Sequence, residues 1–296
     1  MTTIKKKRNK NFLHGMLFLL PSLILFSVFV FYPMLKTIYL SFYLTDPAGK
    51  TIEFIGMENY SKLFQSPIFL KSLKSTALFV IFTVPATLII GLMLSILANE
   101  KLKFIGVFRT IFSSSMGISV AASSVFWLFL FNPTMGYLNK LVTSLGGENI
   151  GWLTDPKWAL FSVSLSTIWM NIGFTFLILL GGLQSIDNKL YESADIEGAG
   201  YFYQLRWITL PMLSPSIFFV FIVSVINAFQ TFGQIDMLTK GGPSNETNLL
   251  VYSIYREAFV NYQYGSGSAQ AVILFIIILV ITAIQFKSSE RRVHYQ

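Results

Sequence analysis

The side chains able to do chemistry in this 296-residue chain are few, and their distribution argues against covalent or metal catalysis. There is no cysteine, which removes disulfides, thiolate nucleophiles and cysteine-ligated metals together. The two histidines, His14 and His294, have no clustered carboxylate that would make a metal site or a proton relay. No G-x-x-x-x-G-K-[ST] phosphate loop occurs, so ATP is not bound here in the usual P-loop manner. What remains is neutral hydrogen-bonding chemistry. Ser224, Asn227, Thr231 and Gln234 recur at intervals of 3, 4 and 3, the spacing of one helix face, with Gln230 beside them. A second stripe runs through Ser164, Thr167, Asn171 and Thr175, and Ser113, Ser114, Ser115, Ser119 and Ser123 form a serine-rich group. Amides and hydroxyls in apolar surroundings are costly unless paired. Such stripes therefore either meet a passing solute or join neighbouring helices by hydrogen bonds and close packing, the latter being the usual use of serine. Ser224, Asn227, Thr231 and Asn171 are the candidates for a substrate path.

One polar segment, residues 187–215, stands between apolar stretches and carries a helical pattern of its own. Asp187 is placed to cap a helix of about three turns starting at Asn188. Gly198 is placed to end it where a positive φ is wanted. Ala194, Gly198 and Ala199 would give this helix a small-residue face able to enter a cleft, and Glu192 a charge at a defined place. Residues 201–210 would lead into the next apolar stretch at Pro211. A helix lying on the membrane surface is the alternative, but it explains neither the small face nor the placement of Gly198 and Pro211.

The elements that must position these residues are membrane spans. The chain is 53% hydrophobic and only 12% charged, with a mean hydropathy of +0.61, whereas soluble domains are about 25% charged. Residues 11–35, 75–99, 110–139, 156–186, 207–235 and 258–286 are free of charge apart from Lys157. Each exceeds the roughly 20 residues a helix needs to cross the hydrocarbon core. Barrel-like alternation is absent, so helices are the structures that satisfy the backbone in lipid. The expectation is an all-α integral membrane protein with six transmembrane helices and the polar segment between the fourth and fifth.

The first span follows a basic stretch but is too long for a signal peptide and lacks a small-residue cleavage site, so it reads as retained. Pro21, Pro33 and Pro85 are expected to bend or bound their helices. Lys5, Lys6, Lys7, Arg8, Lys10, Lys101, Lys103, Arg109, Lys189, Arg206, Lys287, Arg291 and Arg292 flank the spans on one side, which places both termini and the polar segment in the cytoplasm. Most of the formal charge of +8 is this bias. The basic residues form no patch interleaved with aromatics, so nucleic acid is not an expected partner; lipid is. No ionisable side chain falls centrally in a span, which argues against a proton-driven carrier or voltage-gated channel. A secondary carrier would also need internal repeats, and a scaffold that docks without transporting stays open.

Glu192-Ser193-Ala194, Gly198 and Ile208-Thr209-Leu210-Pro211 resemble the cytoplasmic EAA loop of bacterial ABC-importer permeases. Along nearly its whole length the chain resembles the permease subunits of carbohydrate-type, binding-protein-dependent ABC importers. The resemblance implies that Glu192, Ala194, Gly198, Ala199 and Pro211 belong to a coupling loop, residues 187–211, that seats in a groove of an ATPase subunit. Ser193 stands where alanine is usual and Glu197 where aspartate is usual, both mild departures.

The resemblance divides the chain into a cytoplasmic tail at 1–11, a transmembrane domain at 12–286 and a second cytoplasmic tail at 287–296, in the bacterial inner membrane. It implies a homologous second permease, an ATPase dimer carrying ATP and Mg, and an extracytoplasmic binding protein, with no cofactor on this chain. Trp127 to Pro133, the Thr239-Lys240-Gly241-Gly242-Pro243 turn, LVYSIYREAF at 250–259, Ser268-Ala269-Gln270 and the terminal Val293-His294-Tyr295-Gln296 are similar to the subgroup that carries sn-glycerol-3-phosphate. An oligosaccharide importer is the alternative. The resemblance places Ser224, Asn227 and Thr231 on the family's ligand-contacting stripe, whereas Ala228 lacks the amide expected of a sugar-binding homologue. Conversely, a dianionic phosphate would favour a cationic side chain or an aimed helix N-terminus, and no cation is central.

Overall fold

A computed structural model describes residues 15–100 and 102–289. The basic tail, His14, Lys101, Arg291, Arg292 and the terminal tetrapeptide lie outside the described residues. In chain order, α1 (Gly15–Leu40) is followed by a hairpin of β1 (Tyr43–Thr45) and β2 (Thr51–Phe54), then α2 (Glu58–Gln65) and α3 (Pro67–Asn99). Next come α4 (Ile105–Ser113), prolonged by a 3-10 turn over Ser114–Gly117, α5 (Val120–Leu130) and α6 (Tyr137–Ser144). The chain continues with α7 (Ala159–Gln184), α8 (Asn188–Ile196), α9 (Tyr201–Phe229) and α10 (Gly233–Leu238). It closes with α11 (Leu250–Tyr255), continued by a π-turn over Arg256–Val260, and α12 (Tyr264–Ser289).

The helical membrane fold is as expected, with the small antiparallel hairpin added. Five helices, α1, α3, α7, α9 and α12, are individually long and apolar enough to span. The third window, 110–139, is not one helix: α4 and α5 meet at 104°, and the count reaches six only if this bent pair crosses as one span. The break is local. Ile118 and Ser119 are extended, and the Ser119 hydroxyl accepts from the Ala122 N–H at 3.2 Å, starting a new helix.

Prolines shape the spans without ending them. Pro33 and Pro211 each lack an N–H and crowd the carbonyl four residues earlier. A π-turn stands just before each, at Ser27–Phe31 and Leu205–Thr209, widening the helix where the ladder bond is lost. Pro21 and Pro85 lie inside α1 and α3. At 33 residues α3 is about 50 Å long, against an apolar layer of about 30 Å. Its first turns, with Lys71 and Lys74, can therefore stand outside the hydrocarbon.

Two compact units are distinguishable. One comprises Ile254–Ile273 with the described residues up to Leu63; the other comprises Phe64–Ser253 with those from Leu274 on. In the first, the Asn59 amide donates to the Ser41 and Tyr43 carbonyls at 2.8 and 3.2 Å, and the Gly265 N–H donates to the Thr45 hydroxyl at 3.1 Å, fixing the hairpin. In the second, α3 lies along α7, and Leu179, Leu183, Ile186, Leu213 and Val220 form a core between α7 and α9 on which Leu88, Leu92 and Ile96 pack. Arg109 donates from Nε and Nη2 to the Ala98 carbonyl at 3.0 and 2.8 Å, capping the end of α3. Lys71 holds the turn after α10 through the Ser244 carbonyl at 2.7 Å and Glu246 at 2.8 Å.

Candidate functional site

The polar segment folds into a short helix joined to the fifth span. Asp187 caps α8, its carboxylate accepting from the Lys189 N–H at 3.0 Å. Gly198 ends it at φ +77°, a left-handed conformation that glycine adopts without a Cβ penalty. The Gly198 and Ala199 N–H groups donate to the Asp195 and Ala194 carbonyls at 3.0 and 2.9 Å, closing the last turn. Both features follow from local sequence, which is why they could be read in advance.

The presented face differs from the expected one. Ala194 is 8% exposed, turned inward together with the half-buried Tyr191 three residues before it. The outward face carries Glu192, Ile196 and Glu197, with Gly198 exposed beyond them and Ala199 half-buried. Ile196 is 89% exposed and Phe202 82%. Ala194 therefore faces its own bundle while Gly198 stays open, and the outward surface is acidic and apolar. Pro211 does not open the fifth span: α9 begins at Tyr201 and passes through Pro211.

The polar stripe of the fifth span is divided. α9 stops at Phe229, so Ser224 and Asn227 lie on it while Thr231 falls in the break and Gln234 on α10. The break is sealed by the chain itself, with Gln230 N–H donating to the Asn227 carbonyl at 3.1 Å and Thr231 Oγ1 donating to the same oxygen at 3.0 Å. Its cause is tertiary. A Cβ on Gly233 would lie 2.6 Å from Val120 Cγ1, so only glycine lets α10 approach α5 here. The break in the fifth span thus abuts the break in the third, and Gln234 Nε2 donates to Met170 Sδ at 3.0 Å, beside Asn171 on α7. Non-helical backbone at membrane depth is tolerated only where protein buries it or where it lines a watery cavity.

Ser224 and Asn171 are half-buried and Asn227 is exposed, and none of the three side chains has a hydrogen-bond partner among the described residues. The other stripe members behave as packing groups. Ser164 and Thr167 donate to carbonyls of their own helix at 2.8 and 2.9 Å, and Ser115 accepts the Gly173 N–H at 3.1 Å. Sequence reasoning missed Gln204, Tyr191 and Thr209, which bridge α8 and α9; a glutamine and a threonine spaced among aromatics gave no periodic signal. No group of three His, Asp or Glu able to hold a metal ion occurs among the described residues.

Residues 87–295 match the family model described as binding-protein-dependent transport system inner membrane component. The sn-glycerol-3-phosphate transport system permease protein UgpA of Agrobacterium fabrum is 36% identical over 278 residues, covering 93% of this chain and 94% of that protein. A probable ABC transporter permease protein of Pyrococcus horikoshii is 35% identical over 279 residues, with 93% and 95% covered. Among solved structures, a bacterial ABC transporter involved in the import of the acidic polysaccharide alginate is similar with a TM-score of 0.83 at 25% identity, over 98% of this chain and 99% of that one.

Proposed function

The chain belongs to the family of binding-protein-dependent transport system inner membrane components, permease subunits of ABC importers, and on that premise we propose that with a second permease it forms the passage for sn-glycerol-3-phosphate or glycerophosphodiesters. Similarity to a glycerol-3-phosphate permease across 93% of the chain supports this substrate class. Support for the passage itself comes from Ser224, Asn227 and Asn171, neutral polar groups in the apolar spans without partners among the described residues. Left in lipid they would be costly; facing a hydrated passage they would not. Thr231 joins them through its hydroxyl at the break.

The coupling segment 187–211 docks on the ATPase through Glu192, Gly198 and the exposed residues between them, while Ala194, Ala199 and Pro211 shape and anchor it. Closure of an ATPase dimer, which carries ATP and Mg, moves α8 and with it α9, so that the passage opens alternately to either side. The extracytoplasmic binding protein, once loaded, must favour the same state as ATPase closure, or hydrolysis would idle. The segments 1–11 and 287–296 lie in the cytoplasm with the coupling loop, and 12–286 forms the membrane domain.

A second reading, passage of an oligosaccharide or other sugar, is favoured by the neutral character of the proposed lining and by similarity to an alginate importer. The two are separated by ATP hydrolysis in the reconstituted complex of both permeases, ATPase and binding protein. Stimulation by sn-glycerol-3-phosphate and not by maltose-type oligosaccharides is expected; stimulation by sugars alone overturns the substrate but keeps the machine.

A further inference from the structure

Between α8 and α9 the chain passes through residues 197–200, a joint containing Gly198 at φ +77° and Gly200. Two glycines in four residues make a compliant hinge. Displacement of α8 would be absorbed there unless something braced it. The Gln204 side-chain amide donates to Asp195 Oδ1 at 2.6 Å and to the Ala199 carbonyl at 2.9 Å, linking the end of α8, the joint and the first turn of α9. A second brace lies beside the joint. Thr209 Oγ1 donates to the Gln204 carbonyl at 3.3 Å, which leaves Tyr191 as donor in its 3.0 Å bond to Thr209. Thr209 is 8% exposed, and Tyr191 packs on the core of Leu179, Leu183, Ile186, Leu213 and Val220.

We infer that Gln204 and the Tyr191–Thr209 pair are positioning residues that stiffen the joint, so that movement of α8 is delivered to the fifth span instead of being lost in 197–200. The inference rests on the docking of α8 proposed above. The braces join positions 9 and 18 residues apart, and together they connect the outward helix to the buried core. Their removal should leave α8 folded, because its cap at Asp187 and its closing bonds at Gly198 and Ala199 are independent of them.

The test uses the full complex in liposomes, with whichever of sn-glycerol-3-phosphate and a maltose-type oligosaccharide stimulates the wild type as the transported probe. Gln204→Leu and Tyr191→Phe should assemble with the ATPase and hydrolyse ATP normally. Solute carried per ATP should fall about fivefold, the shift expected from one neutral hydrogen bond. Amide exchange across 197–204 should quicken by a similar factor. Gln204→Lys, which restores a donor to Asp195 and the Ala199 carbonyl, should recover the ratio, and Tyr191→Phe combined with Thr209→Val should be no worse than the worse single variant. Unchanged solute per ATP and unchanged exchange in Gln204→Leu would overturn the inference. If Gly198→Asp left assembly and uptake intact, the docking reading would fall instead, whatever the exchange rates.

Discussion

Asn227 carries the most exposed amide of the proposed lining and has no partner among the described residues, so its replacement tests the passage with little expected loss of fold. Asn227→Leu is expected to lower uptake about fivefold or more at normal membrane abundance, the scale of one lost hydrogen bond to solute; unchanged uptake would remove it from the path. Gly198 tests the other end of the machine. Gly198→Asp forces a side chain into a left-handed backbone at a cost of roughly 1–2 kcal/mol and adds a negative charge to an already acidic surface. Both ATPase stimulation and uptake should drop; survival of both would dismiss the coupling assignment. Asp187 and Gly198 were legible in the sequence because cap and terminator act within one turn. Ala194 was not, because which side of α8 faces the bundle is decided by what Tyr191 packs against.

Helix breaks decide how the polar groups are grouped. Charge-free, apolar windows located the five long spans and the stretch that holds the bent pair, since burial in lipid writes itself into composition. They missed the bend between α4 and α5 and the end of α9 at Phe229, because serine, threonine and glutamine carry no charge and leave a charge-free window unbroken. The Ser224–Gln234 stripe accordingly reads as one face and folds as two, divided by the approach of Gly233 to Val120. Gly233→Val would place branched carbons into that contact. A destabilisation of about 1–3 kcal/mol is expected for overpacking of this kind. It should appear as a lower midpoint in thermal unfolding of the purified complex, whereas Gly233→Ala paired with Val120→Ala should recover most of the loss. A midpoint unmoved by Gly233→Val would mean that the two breaks do not abut.

At the scale of the whole molecule the central expectation is orientation, because every proposed role depends on which face each loop meets. Lysine and arginine near the spans are expected to put the α8 loop in the cytoplasm and, counting the bent α4–α5 pair as one crossing, the β1–β2 hairpin outside. The absence of native cysteine makes a clean test possible. Ala48 lies exposed in the hairpin turn, where its backbone N–H is held by Asp46 at 3.0 Å, and Ser193 lies exposed on α8, so a thiol at either site would be reachable without repacking. Intact cells treated with a membrane-impermeant maleimide should label Ala48→Cys and spare Ser193→Cys. Inside-out vesicles stripped of the ATPase should reverse the pattern, and restoring the ATPase should protect Ser193→Cys again. Labelling of Ser193→Cys in intact cells would invert the molecule, placing the glutamates of α8 on the binding protein's side and α8 out of the ATPase's reach. The three conditions therefore bear on topology and docking together, since only a cytoplasmic and docked α8 gives protection in the first and third and exposure in the second.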